Sequence, residues 1–359
     1  MRIGVNLVRF SKACMGDEEV YLRGLMSALA KLSPDIQFIL LTDEASYDRF
    51  PQWERYPVAA VRVGLLWSGN GRARALQRAA EEAGVDCLFA SIATAPPGVS
   101  MPLVLYSMDV ARLLRETTAS RWWGHNQLKM FRHICGKAQA VLAPSQAAQR
   151  TFMDQLDVPL NKIVIAPPGV SDVFGEAQHC FVQKPYILIV GNTEPAMNLP
   201  RTLEAFRRLR KQLANHTLVV VGRPGSAEAK EWGDDVLRFD EVPDQQLAAL
   251  YQHCELFLCP AFFPASAMHV LEAMRAGARV VSARTGGIPE LAGRTPVYFD
   301  PRSGKSMINA IQRVLDESED ERKQVVHAGV KRASEYTWGK CAAQTLKAFE
   351  RALPTANIA

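Results

Sequence analysis

No run of apolar residues in this chain approaches the roughly 18–20 residues that a membrane-spanning helix requires. The opening residues, Met1 to Val5, read as a first β-strand and lack the charged start and apolar stretch of a signal peptide. We therefore expect a cytoplasmic protein. The formal net charge of +5 is too small to indicate nucleic-acid binding, but it is compatible with an anionic ligand or with peripheral contact at the inner face of a membrane.

Paired cysteine motifs are also missing, because the seven cysteines are scattered and form no spacing typical of a zinc site or a redox centre. The closest pair, Cys254 and Cys259, flanks or lies in an apolar stretch, so we interpret both as small buried hydrophobic residues. The chain has no complete Gly-x-Gly-x-x-Gly fingerprint, which argues against a conventional nicotinamide site. No constellation of a nucleophile with its base, or of paired carboxylates, indicates a hydrolase.

What the chain does contain is a regular alternation of short β-branched or apolar runs with helical stretches. This alternation predicts parallel sheets with helices on both faces. With 359 residues the chain suits two domains of about 150–200 residues each. The rhythm weakens from Gly169 to Gln183, which predicts a linker there. We expect an N-terminal domain over residues 1–172, a C-terminal domain over residues 183–336 and a last helix within residues 337–359.

In the C-terminal half, helices are predicted over Leu199–Leu213, Asp244–His253 and Ala267–Ala276, among others. Two doubly wound domains of this kind are expected to face each other across a cleft. The carboxyl ends of both sheets would line that cleft, which is where such sheets bind ligands.

The most distinctive pattern is FLCPAFFPASAMHVLEAMRAGARVVSARTGGIPEL, from Phe257 to Leu291. A strand that ends at Pro260 leads into a loop, a helix that contains Glu272, a second strand and the turn Gly286-Gly287-Ile288-Pro289-Glu290. This pattern resembles the donor-binding segment of the GT-B glycosyltransferases of the large retaining family 4. Further similarities are found at Ala143-Pro144-Ser145, Pro167-Pro168-Gly169-Val170, Gly191 to Leu199 and Thr337-Trp338.

The resemblance implies a GT-B fold of two Rossmann-like domains, with the last helix crossing back onto the first domain. It implies transfer of a sugar from a UDP- or GDP-linked donor to a glycan or lipid-linked acceptor in surface-polysaccharide assembly. The reaction would proceed with retention and without a metal or other cofactor. On the acceptor side, the positions that correspond to the family's site are Gly16 and Asp109.

On the nucleotide side, the resemblance assigns Glu272 to the ribose diol and the amides of Val270 and Leu271 to the phosphates. Two simpler explanations stay open. Glu272 would otherwise complement the dipole of its helix, and Asn198 would otherwise cap the helix that follows it. The remaining residues predicted to line the nucleotide site are Gly222, Arg223, Val242 and Asn198.

Several positions depart from the family's pattern. Pro264 replaces the first Glu, Ala265-Ser266-Ala267 replaces Gly-Phe-Gly, Met108 replaces a strand-end His, and Ala196 and Met197 replace an Arg–Lys pair. A departing diphosphate needs cations or aligned amides, and each lost contact of this kind costs about 2–4 kcal/mol of transition-state stabilisation. The alternative function is therefore a catalytically inactive relative that binds a nucleotide, a glycan or a partner glycosyltransferase.

An active enzyme would need a substitute cation for the diphosphate. Arg201, Arg223 and Arg284 are the candidates, and Arg223 is the best placed because it follows an apolar strand. Asp109 and Arg223 are accordingly the candidate catalytic residues. A separate feature, the tryptophan pair Trp122-Trp123 among basic residues, is typical of peripheral membrane contact, although such residues also pack at domain edges.

Overall fold

The computed structural model divides the chain into two compact units, one formed by residues 1–169 and 338–359 and the other by residues 170–337. The structure describes residues 1–8, 16–42, 58–62, 69–108, 110–111, 113–114, 123–182, 185–191, 195–209, 211, 213–222, 236–262 and 267–353. Among these residues, no helix combines the length and the apolar character that crossing a bilayer requires.

In its described residues, the N-terminal unit has a seven-stranded parallel sheet with the order β3-β2-β1-β4-β5-β6-β7. Its strands are β1 (Arg2–Asn6), β2 (Gln37–Thr42), β3 (Val58–Arg62), β4 (Cys87–Ser91), β5 (Leu103–Tyr106), β6 (Ala140–Ala143) and β7 (Ile163–Ile165). Its helices are α1 (Gly16–Leu32), α2 (Gly69–Glu82), α3 (Trp123–Lys137), α4 (Gln146–Leu156) and α11 (Trp338–Ala352).

The last helix, α11, packs on the N-terminal unit, chiefly against α1. Gly24 makes this close approach possible, because a Cβ at that position would clash with the indole of Trp338. The ring of Tyr21 lies 6.0 Å from that indole, and Phe349 meets Phe89 of β4 edge-on at 5.4 Å. The expectation that the last helix crosses back onto the first domain is therefore confirmed.

Where the C-terminal unit is described, it contains a six-stranded parallel sheet with the order β10-β9-β8-β11-β12-β13. Its strands are β8 (Tyr186–Val190), β9 (Thr217–Val221), β10 (Val236–Phe239), β11 (Leu256–Cys259), β12 (Val280–Ala283) and β13 (Val297–Phe299). Its helices are α5 (Leu199–Arg208), α6 (Asp244–His253), α7 (Met268–Arg275), α8 (Ile288–Ala292), α9 (Gly304–Leu315) and α10 (Glu319–Ala333).

Residues of β8 show how this sheet is covered on both faces. Tyr186, Leu188 and Val190 belong to one buried apolar cluster, whereas Ile187 and Ile189 belong to another. Since successive side chains of a strand point to opposite faces, helices must bury both faces of the sheet. The predicted fold class, α/β with two doubly wound parallel sheets, is confirmed.

The segment predicted as a linker, Gly169 to Gln183, lies for the most part within the C-terminal unit. Phe174 (2% exposed) and Val182 are buried in its core, and the ring of Phe174 meets that of Tyr251 edge-on at 5.9 Å. The apolar residues of this stretch are interspersed with polar ones without a regular period, which is why the sequence pattern indicates a linker.

The interpretation of the cysteines as buried residues is confirmed for Cys254 and Cys259. The six cysteines in the described part of the chain are free, and all of them except Cys180 are buried. Burial raises the pKa of the Cys87 thiol to about 12, so this thiol stays protonated at neutral pH.

Candidate nucleotide site

The sheet of the C-terminal unit reverses its winding direction between β8 and β11. At such a switch point the loops that follow the two strands diverge and leave a crevice at the carboxyl edge of the sheet. Here the two loops are tied together, because the N–H of Phe262 donates to the carbonyl of Ala196 at 2.8 Å. The hydroxyl of Thr285, after β12, donates to the carbonyl of Ala261 at 3.1 Å and fixes the second loop from its other side.

Met197 lies over Gly191, the residue that follows β8. A Cβ on this glycine would come within 2.7 Å of Met197 Cε and 3.0 Å of its sulfur, and the glycine has a φ of 138°. Met197 is partly buried and contacts the apolar clusters on both faces of the sheet. At the position where the family resemblance calls for a cation, the structure therefore places a neutral thioether on the end of β8.

Asn198 precedes α5 in a left-handed conformation, with a φ of 58°. Asn198 occupies the N-cap position of α5, but its side chain makes no capping hydrogen bond, so the predicted side-chain cap is not formed. Instead, Nδ2 donates to the carbonyl of Pro301 at 2.9 Å and to that of Pro260 at 3.4 Å, while Oδ1 accepts from Arg201 at 2.8 Å. Both polar ends of this buried amide therefore connect protein segments.

Arg201 belongs to the same set of connections. Its Nη1 also donates to the carbonyl of Pro301 at 3.1 Å, and its guanidinium lies 5.7 Å from the ring centroid of Phe262. Arg284 is exposed, and its guanidinium lies 5.8 Å from the ring centroid of Tyr298. Burial raises the pKa of Tyr298 to about 12, with Arg284 acting in the opposite direction. Arg201 is therefore already used in contacts that connect the loops.

Glu272 is the fifth residue of α7 and is 5% exposed. Its Oε2 accepts from the hydroxyl of Tyr251 at 3.4 Å and from Nδ1 of His269 at 3.0 Å. Both contacts fall on Oε2, and the described residues provide no partner for Oε1. The effect of the helix dipole declines within the first turn, so the dipole alone is a weak explanation for a buried carboxylate at this depth.

The amides assigned to the phosphates differ in availability. The N–H of Leu271 donates to the carbonyl of Ala267 at 3.0 Å, so this amide serves the helix, and its assignment to a phosphate is wrong. Val270 is the third residue of α7, in the first turn, where a helix provides no acceptor four residues back. Among the amides that the resemblance assigns to the phosphates, that of Val270 is the one at the start of α7.

Ala267, immediately before α7, has a φ of 57° and makes no side-chain cap. The left-handed conformation costs a residue with a Cβ about 1–2 kcal/mol. The family resemblance calls for glycine here, and the backbone keeps a glycine-like conformation although the residue is alanine. Strained backbone of this kind is concentrated at functional sites.

The other residues predicted for the nucleotide side lie around the same sheet edge. Gly222 follows β9 and donates its N–H to the carbonyl of Phe239 at 2.8 Å. Val242 follows β10 and packs, partly buried, on the core. Arg223 and Pro264 lie outside the described residues.

The predicted acceptor side belongs to the N-terminal unit. Gly16 is the first residue of α1, and Met108 is buried two residues beyond β5. Asp109 and Trp122 lie outside the described residues. Trp123 begins α3.

Sequence reasoning missed a polar contact in the N-terminal unit, where the sheet winding reverses between β1 and β4. There the hydroxyl of Ser91 donates to Oε1 of Glu18 at 3.0 Å, and the buried Asn6 donates to the carbonyl of Thr94 at 3.2 Å. Polar residues that end two adjacent apolar strands are the signal that identifies this edge.

The described residues contain no group of three or more His, Cys, Asp or Glu side chains arranged to hold a metal ion. Around β8 and β11 the described residues provide the buried carboxylate of Glu272, the start of α7 and the uncharged side chains of Ala196 and Met197. A helix start of this kind is suited to an anion, and a carboxylate is suited to a diol.

Comparison with known proteins identifies relatives of the C-terminal unit in particular. Residues 176–332 match the profile of the family described as glycosyl transferases group 1. O-antigen chain mannosyltransferase B of Escherichia coli is 27% identical over 46% of this chain and 45% of its own length. The MMP alpha-(1->4)-mannosyltransferase of Mycolicibacterium hassiacum is 26% identical over 68% of this chain and 61% of its own length. The chain thus spans less than two thirds of these curated relatives.

Solved structures resemble the whole chain. Sucrose-phosphate synthase from Thermosynechococcus elongatus superimposes with a TM-score of 0.79 and 15% identity over 98% of both chains. Anabaena HepE, in complex with UDP and glucose, gives a TM-score of 0.75 and 16% identity over 98% of this chain and 99% of its own. At these identities the similarity establishes the fold.

Proposed function

We propose that the chain is a glycosyltransferase of polysaccharide biosynthesis, because residues 176–332 match the group 1 glycosyl transferase profile and the fold resembles that of solved GT-B structures. The donor is a UDP- or GDP-linked sugar, and the acceptor is a glycan or a lipid-linked glycan. The names of the curated relatives, which include two mannosyltransferases, support a hexosyl donor. The UDP complex of HepE supports a nucleotide in a fold of this kind.

The observation that carries this proposal is the buried Glu272, whose Oε2 is held by Tyr251 and His269. The described residues provide no donor to Oε1, so this oxygen can accept hydrogen bonds from a ligand. The two hydroxyls of a ribose supply such donors. The diphosphate would then meet the amides at the start of α7, where the helix dipole favours a negative charge.

The second candidate function is a binding protein without transferase activity. It is favoured by the neutral pair Ala196 and Met197, and by the packing of Met197 on Gly191 at the place where a leaving group needs a cation. Such a protein would bind a nucleotide, a glycan or a partner glycosyltransferase. On either function, a cytoplasmic location with peripheral membrane contact through Trp122 and Trp123 is our prediction.

Product analysis separates the two functions. The purified chain is incubated with UDP- and GDP-hexoses and a polysaccharide acceptor, and both transfer and hydrolysis are measured. Transfer that falls in Glu272→Gln supports the glycosyltransferase. If the wild type binds the nucleotide without transfer or hydrolysis of any donor, the binding protein is the correct function. In that case Arg223→Ala has no transfer to abolish, whereas in an enzyme it should lower turnover sharply.

A further inference from the structure

Two residues that the sequence patterns did not single out hold the carboxylate of Glu272. Tyr251 comes from α6 and His269 from the first turn of α7, and both contact the same oxygen, Oε2. A carboxylate only accepts hydrogen bonds, so the hydroxyl of Tyr251 and Nδ1 of His269 must both donate. A neutral imidazole with its hydrogen on Nδ1 is sufficient for this contact.

Tyr251 is rigidly placed. Its side chain is fully buried, and its ring meets those of Phe257 at 5.2 Å and Phe174 at 5.9 Å, both edge-on. Aromatic rings packed in this way have little freedom to rotate away. The hydroxyl of Tyr251 therefore provides a fixed point for the carboxylate of Glu272.

His269 holds the carboxylate from within the helix. It lies three residues before Glu272, and residues with this spacing are neighbours on one helix face. Its side chain is 25% exposed, whereas that of Glu272 is 6% exposed. The imidazole is thus more exposed than the carboxylate, and its hydrogen bond restricts rotation of the carboxylate about its terminal bond.

We propose that Tyr251 and His269 are positioning residues that turn Oε1 of Glu272 towards the ribose diol, so that the pair sets the preference for ribonucleotides. This inference rests on the proposed nucleotide site and adds residues to it. With Oε2 satisfied by protein donors, Oε1 is the acceptor that remains for the 2′- and 3′-hydroxyls. If either donor is lost, the carboxylate rotates, and the contact with the diol weakens more than the contact with the phosphates.

The test is the ratio of two dissociation constants, for the 2′-deoxy and the ribo form of the same nucleotide (UDP or GDP, whichever binds more tightly). The wild type should prefer the ribo form by about tenfold or more, because a hydrogen bond to a charged group contributes that much. Glu272→Gln should reduce the preference strongly. Tyr251→Phe, which keeps the buried ring, and His269→Ala should each reduce it severalfold.

His269→Asn is the matched control, because an asparagine amide can replace Nδ1 as a donor, and it should retain the preference. General damage to the fold would weaken both nucleotides alike and leave the ratio unchanged. If the ratio falls in Glu272→Gln but stays at the wild-type value in Tyr251→Phe and His269→Ala, the positioning inference is wrong while the proposed site stands. If the wild type binds neither nucleotide, both the positioning inference and the proposed nucleotide site are wrong.

Discussion

Gly191 and Met197 fit each other so closely that a Cβ on the glycine would lie 2.7 Å from the terminal carbon of the methionine. The two positions are therefore coupled. The end of β8 is closed by an apolar side chain, and any residue that replaces Met197 changes how that strand end is covered. Met197 occupies a position where the family pattern has a cation, and that cation would stabilise the departing nucleoside diphosphate.

Gly191→Ala should destabilise the chain by about 1–3 kcal/mol, because the added methyl group overpacks the contact with Met197 and a φ of 138° disfavours a Cβ. Urea denaturation measures the loss. The double variant Gly191→Ala, Met197→Ala should be less destabilised than the sum of the single variants. Gly304→Ala is the control in the same unit, since its nearest neighbour would be 3.8 Å away, and it should be close to neutral. Equal losses at the two glycines would contradict the contact.

Restoring charge should restore affinity. Ala196→Arg combined with Met197→Lys should raise the affinity for a nucleoside diphosphate about tenfold or more, because a charge-assisted contact contributes about 1.5–3 kcal/mol. The lysine stem can still cover Gly191. Calorimetric titration measures the gain, and the neutral pair Ala196→Gln, Met197→Gln controls for size. No gain with the charged pair would mean that the crevice does not receive a diphosphate at residues 196–197.

Asn198→Ala should cost about 2–3 kcal/mol of stability. The change removes the hydrogen bonds to Pro301 and Arg201, each worth about 1 kcal/mol, and places a Cβ-bearing residue without local hydrogen bonds in a left-handed conformation. Asn198→Gly loses the same bonds but not the backbone penalty, so its loss should be smaller by about 1 kcal/mol. The exposed Asn126→Ala should be silent. If Asn198→Ala also leaves the stability measured by thermal unfolding unchanged, the hydrogen bonds described for the Asn198 side chain are wrong.

Ala267→Gly should leave stability unchanged or raise it by up to about 1 kcal/mol, because glycine adopts a φ of 57° without strain but loses more entropy on folding. Ala273→Gly, at a fully buried position further along the same helix, should instead cost about 1 kcal/mol or more. The comparison is made by denaturant unfolding of the two variants side by side. A loss at Ala267 as large as that at Ala273 would argue against the left-handed conformation.

Regular elements were predictable wherever apolar periodicity and turn residues agree. The helix Asp244–His253 has the predicted bounds, whereas the predicted Leu199–Leu213 ends at Arg208 and Ala267–Ala276 is one residue shorter at each end. Helix ends depend on a few hydrogen bonds that periodicity does not reveal. The burial of Phe174 is not revealed by periodicity either, because it depends on a contact with Tyr251, a residue far along the chain.

The site was predictable only in part. Glu272 was identified by its resemblance to a known pattern, but Tyr251 and His269 were not, because their meeting at Oε2 depends on how α6 packs against α7. The family pattern assigns the amide of Leu271 to a phosphate, although this amide is used within the helix. Spacing along a sequence can place a residue on a helix, but it does not tell which amides the helix itself consumes.

The most direct test of the central claim is calorimetric titration of UDP and GDP into the wild type and into Glu272→Gln. The account predicts that one of the two nucleotides binds the wild type and that Glu272→Gln weakens this binding about tenfold or more, since a charged acceptor for the ribose diol is lost. Equal affinities in the two proteins, or no binding of either nucleotide to the wild type, would contradict it.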